Sequence, residues 1–431
     1  GNLLRTSVVN QFQNPGSQRQ GAGEFTFASL EDFAAGRPSS YFRPFQQGGG
    51  ISRAEFDVVE WSVYAQDEWQ VTPKLTATLG LRYDQQSFQD SPSPVVDVER
   101  AFGFETGFAP TDNDNISPRL ALAYDVYGDG NHVVRAGGGL FYGRVPYVLG
   151  GNVFQTEVPG VEVFCNGDPG DPNAPPDVSQ WDDWAQDGSD NPAGCAGQGG
   201  LAAPVPNYSL WTEDFQYPEV FKYSLGYEGL ITNRTRLSVD FLFSTGQNQF
   251  SIRNLNLRPS QFQIAGEGRN VFTPLDVFNP SEEDDLNARI NTQFGDVHAI
   301  YNDGRNRAYT LNVEASHNFS ENYRLTGSYT FTRAYDNVSA SCCLSSSIYE
   351  DPLLGANGPN DLGEAGDFEK AWGRSDYGRD HTFIVSGTAR LPYDIEVSGL
   401  WRIQSGRPWT PAVSGDLNGD GVRFNDRPYV F

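Results

Sequence analysis

The run richest in chemistry is Asp416-Leu417-Asn418-Gly419-Asp420-Gly421, with Asn425 and Asp426 just beyond it. Side-chain oxygens at alternating positions around a glycine suit a hard cation, so Asp416, Asn418, Asp420 and Asp426 are the metal candidates and calcium is the one cofactor put forward. A complete calcium loop closes with a bidentate acid at its twelfth position, where Arg427 stands. The competing reading is a turn in which Asp and Asn side chains bond their own backbone, and the missing acid favours it. Cys165 and Cys195 share one long Pro/Gly/Asp-rich stretch, and Cys342 and Cys343 are neighbours in another. On an oxidising exterior a Cys165–Cys195 bridge is expected, with a vicinal Cys342–Cys343 bond or cross-pairing as competitors. His132, His298, His317 and His381 are scattered, with no nucleophile elbow or triad context around them. Gly137-Gly138-Gly139 precedes no helix and is no phosphate cradle. No catalytic residues are assigned, and an enzyme is not expected.

Two larger sets remain. Arg82, Arg119, Asp125, Arg135, Arg236, Asp240, Glu314, Arg324, Arg390, Glu396 and Arg402 interleave with apolar residues at every second position. Such a face gives a hydrated interior, or one that pairs with an inserted segment, or salt bridges between adjacent strands. Trp181, Trp184, Tyr208 and Trp211 lie in a long connection and are the aromatic candidates for contacting a ligand.

These residues need elements that hold alternate side chains on opposite faces. Ten stretches alternate with period two. In Lys74–Tyr83, for example, Leu75, Ala77, Leu79, Leu81 and Tyr83 share one face, and Thr76, Thr78, Gly80 and Arg82 share the other. The connections alternate as well: short turns at Pro73, Gly130, Asn233, Glu321 and Tyr393, and long Pro/Gly/Asp-rich segments between the hairpins. Sorting of connections by length is what a membrane imposes on an antiparallel barrel. A soluble β-sandwich would alternate too, but with turns at regular short spacing. Aromatic residues near strand ends, among them Trp61, Trp69, Tyr83, Tyr227, Phe319 and Trp401, fit the girdles at bilayer interfaces. The expected fold is all-β: an antiparallel transmembrane β-barrel with long extracellular loops and short periplasmic turns. Residues 1–60 are expected to be extracellular loop with weak strand signals, 61–404 barrel hairpins, and 405–431 a further outer loop.

Composition agrees. Only 38% of the 431 residues are hydrophobic, and no run approaches the roughly 20 apolar residues of a membrane helix. The net charge of −25 argues against nucleic-acid binding, which needs a basic footprint. The acids concentrate in connections and read as solvated surface. With no Met and no visible signal peptide, the chain is expected to be a mature or partial product of a longer precursor.

Specific runs resemble a known family. Val63-Tyr64-Ala65-Gln66-Asp67-Glu68-Trp69, Gly80-Leu81-Arg82-Tyr83-Asp84, Ile116-Ser117-Pro118-Arg119-Leu120 and Val134-Arg135-Ala136-Gly137 resemble the barrel of TonB-dependent outer-membrane receptors. Tyr329-Thr330-Phe331-Thr332, Gly373-Arg374-Ser375-Asp376, Arg379-Asp380-His381 and Gly406-Arg407-Pro408 extend the resemblance toward its Oar-like branch, whose members carry a carboxypeptidase-regulatory-like domain. The resemblance implies a barrel of about 22 strands, a plug domain inside it and a TonB box upstream, neither of which is seen in this chain. It implies the outer membrane of a Gram-negative cell as location, the lipid bilayer as partner, and the TonB complex as partner through the missing plug. The expected function is uptake of a bulky nutrient. The alternatives are a non-transporting surface barrel whose loops bind an extracellular or lipoprotein partner, and a passive porin.

Overall fold

The computed structural model describes residues 1–10, 24–46, 54–154, 160–180, 194–196, 207–263, 270–272, 288–338, 372–409, 411 and 417–420. Eleven strands form the main wall: β1 (Asn2–Asn10), β2 (Ala54–Thr72), β3 (Leu75–Phe88), β4 (Ile116–Asp125), β5 (His132–Tyr142), β6 (Glu219–Thr232), β7 (Thr235–Asn254), β8 (Val297–Asn318), β9 (Tyr323–Asp336), β10 (His381–Leu391) and β11 (Ile395–Gln404). Each pairs antiparallel with the next, so spatial order follows chain order. The five short turns, after β2, β4, β6, β8 and β10, therefore all lie on one rim, and the long connections on the other.

Turn chemistry explains the short rim. Asp125 accepts from the backbone N–H of Gly128 at 2.9 Å and of Gly130 at 2.7 Å. Both glycines adopt left-handed backbone, φ 82° and 72°, where a Cβ would be strained. Tyr393 and Asp394, in the three-residue turn Pro392–Asp394, are left-handed as well, φ 68° and 56°.

The wall is longer than the sequence pattern indicated. β1 joins it within a segment expected to be mostly loop. β2, β7 and β8 run 19, 20 and 22 residues, against the roughly 9–11 that cross a bilayer. Their excess projects at the long-connection end, where consecutive residues such as Ser251 and Ile252 on β7 and Val297–Ile300 on β8 are buried on both faces, while β2 still alternates. Among the described residues β1 and β11 are not paired with each other, so the wall is open.

Apolar side chains on one face of the wall stand exposed in a band, from Leu225 at 56% to Trp69 and Trp401, nearer the strand ends, at 60%. A continuous belt of this kind belongs in lipid. The packed hydrophobic clusters of the described residues lie instead at the long-connection end. There a helix, Tyr147–Phe154, packs against β2 and against a short strand, Tyr208–Trp211, that pairs parallel with the start of β8. A three-stranded sheet (Glu24–Thr26, Ser40–Gln46, Gly160–Cys165) stands apart from the wall.

Candidate functional site

Strand register puts the interleaved charges on a single face. One cross-strand row reads Gln66, Gly80, Arg119, Gly139, Lys222, Ser244. The next polar residues in either direction fall on the same side, and so do Arg82, Asp125, Arg135, Arg236, Asp240, Glu314, Arg324, Arg390, Glu396 and Arg402. Several are paired. Arg82 donates to both oxygens of Asp84 at 2.7–2.9 Å. Glu228 takes Arg135 at 2.9 Å and also Arg236. Arg390 meets Glu396 at 3.2 Å. Arg324 Nε donates to Ser316 at 3.1 Å, and Asp240 accepts from Ser238 at 2.8 Å. Glu314 stands between Ser238 and Ser328, and Arg402 beside Ile384. Asp125 caps its turn.

At the upper end of this face the segment after β5 folds back onto the wall. Glu60 on β2 accepts from Arg144 at 2.6 Å, Tyr147 Oη at 3.0 Å and Gln86 Nε2 at 3.0 Å. The Gln86 amide pairs with the backbone of Val145, accepting at 2.9 Å and donating at 3.2 Å. Tyr217, where the same segment returns to β6, donates its phenol to the Gln86 carbonyl at 2.5 Å and its N–H to Asp112 at 2.7 Å. Both ends of the 143–218 connection are thus tied to one point of the wall. Above it Leu149, Val153, Trp211, Phe215, Ile252 and Ile300 form a buried cluster with Tyr217. Burial raises the Tyr217 phenol well above its ordinary value and raises Asp112, the latter with help from the neighbouring Asp114. Below the tie lies a polar cavity of about 290 Å³, lined among others by Glu60, Ser62, Arg82, Arg119, Phe141 and Arg144.

The other sequence candidates separate. Cys165 and Cys195 form the disulfide, which joins the three-stranded sheet to the segment at 194–196. Cys342 and Cys343 lie outside the described residues, as do Trp181 and Trp184. Tyr208 and Trp211, read as loop contacts for a ligand, are core residues here. Tyr208 packs edge-on to Phe294, and Trp211 is 1% exposed between Phe88 and Phe215. Their strand alternates into two clusters at once, which a loop reading misses. Asp416 and Asp426 lie outside the described residues. Asn418 and Asp420 make a local turn, the Asp420 N–H donating to Asn418 Oδ1 at 2.9 Å. Among the described residues no group of His, Cys, Asp and Glu is arranged to hold a metal. Glu60, Gln86, Arg144 and Tyr217 were missed. The available signal was parity: Glu60 and Gln86 fall on the face of Ser62 and Arg82.

An open antiparallel wall with a lipid belt, a charged opposite face and all short turns on one rim is part of a transmembrane β-barrel. The chain belongs to the family described as outer membrane beta barrel domain, which matches residues 3–431, and it resides in the outer membrane. No curated protein matches it. Among solved structures it is similar to the outer membrane transporter YddB from Escherichia coli at 10% identity and TM-score 0.48, over 88% of this chain and 40% of that one. The FrpB iron transporter from Neisseria meningitidis (F3-3 variant) gives 9% identity and TM-score 0.39, over 81% of this chain and 33% of that one. The ferric-catecholate import receptor Fiu from E. coli K12 gives 12% and 0.39, over 85% of this chain and 41% of that one. The chain spans less than half the length of these structures.

Proposed function

We propose that this chain is the wall of a TonB-dependent outer-membrane transporter of the Oar-like branch, with its polar face lining the lumen and a bulky nutrient as cargo. The observation that carries the reading is the tied-down segment. The two described ends of this connection, at Arg144–Tyr147 and at Tyr217, fasten to Glu60 and Gln86 at the upper end of the charged face, which we read as restricting entry to that face. A lumen restricted in this way suits regulated passage of a selected solute better than free diffusion. The sequence runs that resemble TonB-dependent receptors point the same way, and the plug and TonB complex would act from the rest of the protein.

Two measurements test it. In outer-membrane vesicles, Ser224→Cys should react with a charged, membrane-impermeant maleimide and Leu225→Cys should not, because the two side chains point to opposite faces. Reaction at Leu225→Cys alone would reverse the faces. In planar bilayers the full-length protein should show no steady conductance. A stable open channel would establish the passive-porin alternative instead.

A further inference from the structure

Among the described residues, the charged face brings two cations without a carboxylate partner together around one aromatic ring. Arg119 and Lys222 stand on either side of Gly139 in a single cross-strand row. The Arg119 guanidinium lies over the Phe141 ring at 4.3 Å from its centre, and the Lys222 ammonium is 5.1 Å from the same centre. Neither forms an ion pair with a described residue, and Arg119 Nε is buried without a hydrogen-bond acceptor. The nearby carboxylates are already used, Asp84 by Arg82 and Glu60 by Arg144. In a chain of net charge −25, with Lys at only three positions, two unneutralised cations around one ring are conspicuous.

The surroundings are shaped to receive a group. Cavities of about 290 and 380 Å³ adjoin at Arg119 and Phe141, which line both. Ser62, 6% exposed and lining the first, has a hydroxyl with no hydrogen-bond partner among the described residues. The glycine of the row is required. A Cβ on Gly139 would stand 2.8 Å from Arg119 Cγ and 3.0 Å from the Pro118 carbonyl, so any side chain there displaces the arginine.

We propose that Arg119 and Lys222, held by Phe141 over Gly139, form a binding subsite for the carboxylate of a soluble ligand. The guanidinium fork matches a carboxylate's two oxygens, and a partly enclosed site weakens solvent screening. The subsite rests on the polar face being open to water. Labelling of Ser224→Cys tests that separately, so failure of the subsite is distinguishable from failure of the face assignment.

The experiment is calorimetric titration of the full-length protein in detergent, at low ionic strength, with acetate, succinate and citrate. At least one should bind saturably, and added chloride should weaken it. Arg119→Gln with Lys222→Gln should reduce the affinity at least about tenfold, the scale expected for losing a charge-assisted contact. Gly139→Ala, which leaves every charge in place, should also weaken binding, and Arg390→Gln, at the opposite end of the face, should not. A thermal melt of each variant establishes that it is folded. Absence of saturable binding in the native protein overturns the proposal. Unchanged affinity in the double variant overturns it as well.

Discussion

Glu60 holds three donors at once, and its removal isolates a consequence that no single hydrogen bond would show. Glu60→Gln keeps the shape but removes the charge that Arg144 and Tyr147 address. The expected loss is about 1–3 kcal/mol of local stability, seen as faster proteolysis within 144–218 while the wall keeps its melting temperature. Asp112 gives a pH-dependent counterpart. Burial raises its folded pKa above the unfolded value, so the folded state holds the proton more tightly. Stability is then greatest below the ordinary aspartate range and falls as pH rises through the raised value. Denaturant midpoints across that window should show the decline, and Asp112→Asn should flatten it. The interleaved charges were legible from alternation alone, because lipid on one side forces polar residues to the other. Glu60, Gln86 and Tyr217 were not, since they act above the lipid belt. There a residue's partners come from a loop 50 or more positions away, as with the separation of 59 between Gln86 and Val145.

Among the elements, the turns and the edge strand teach opposite lessons. The hairpins were readable because each tight turn carries its own chemistry, as the Asp125–Gly130 run does. The strand β1 was not, because Leu3, Leu4, Val8 and Val9 put apolar residues on both faces and leave no period to find. The β10–β11 turn stores strain: two non-glycine residues in left-handed backbone cost roughly 1–2 kcal/mol each. Tyr393→Asn with Asp394→Gly should therefore raise the unfolding midpoint, offset in part by the flexibility glycine adds to the unfolded chain. No gain would mean that Tyr393, 95% exposed, is held by something outside the described residues. The disulfide acts on a different element. Cys165→Ser with Cys195→Ser opens a separation of 30 residues and should cost about 2–4 kcal/mol locally. Proteolysis should accelerate around 166–194 with little change in the mid-wall.

For the molecule as a whole, the lipid belt and the open edges set the demand. Among the described residues the outer edges of β1 and β11 are unpaired, and ladder groups left so in hydrocarbon cost several kcal/mol each. Residues 1–431 produced alone should thus associate edge to edge in detergent. Light scattering that finds a stable monomer would show that the edges meet each other. The outer-membrane class was legible from connection lengths and alternation. The superstructure at the long-connection end was not, because its parallel strand, helix and separate small sheet are fixed by tertiary packing rather than by any local period.

The strict agreement between strand order and chain order reaches past transport into assembly and descent. Each short turn joins two strands that pair with each other, so the wall can be laid down one hairpin after another, with the longer closures falling between hairpins. The hairpin is then also the smallest heritable part. Duplicating or deleting one changes the circumference of the enclosure without disturbing the pairing of any other, and diversification of size in such walls is expected to proceed in steps of two strands.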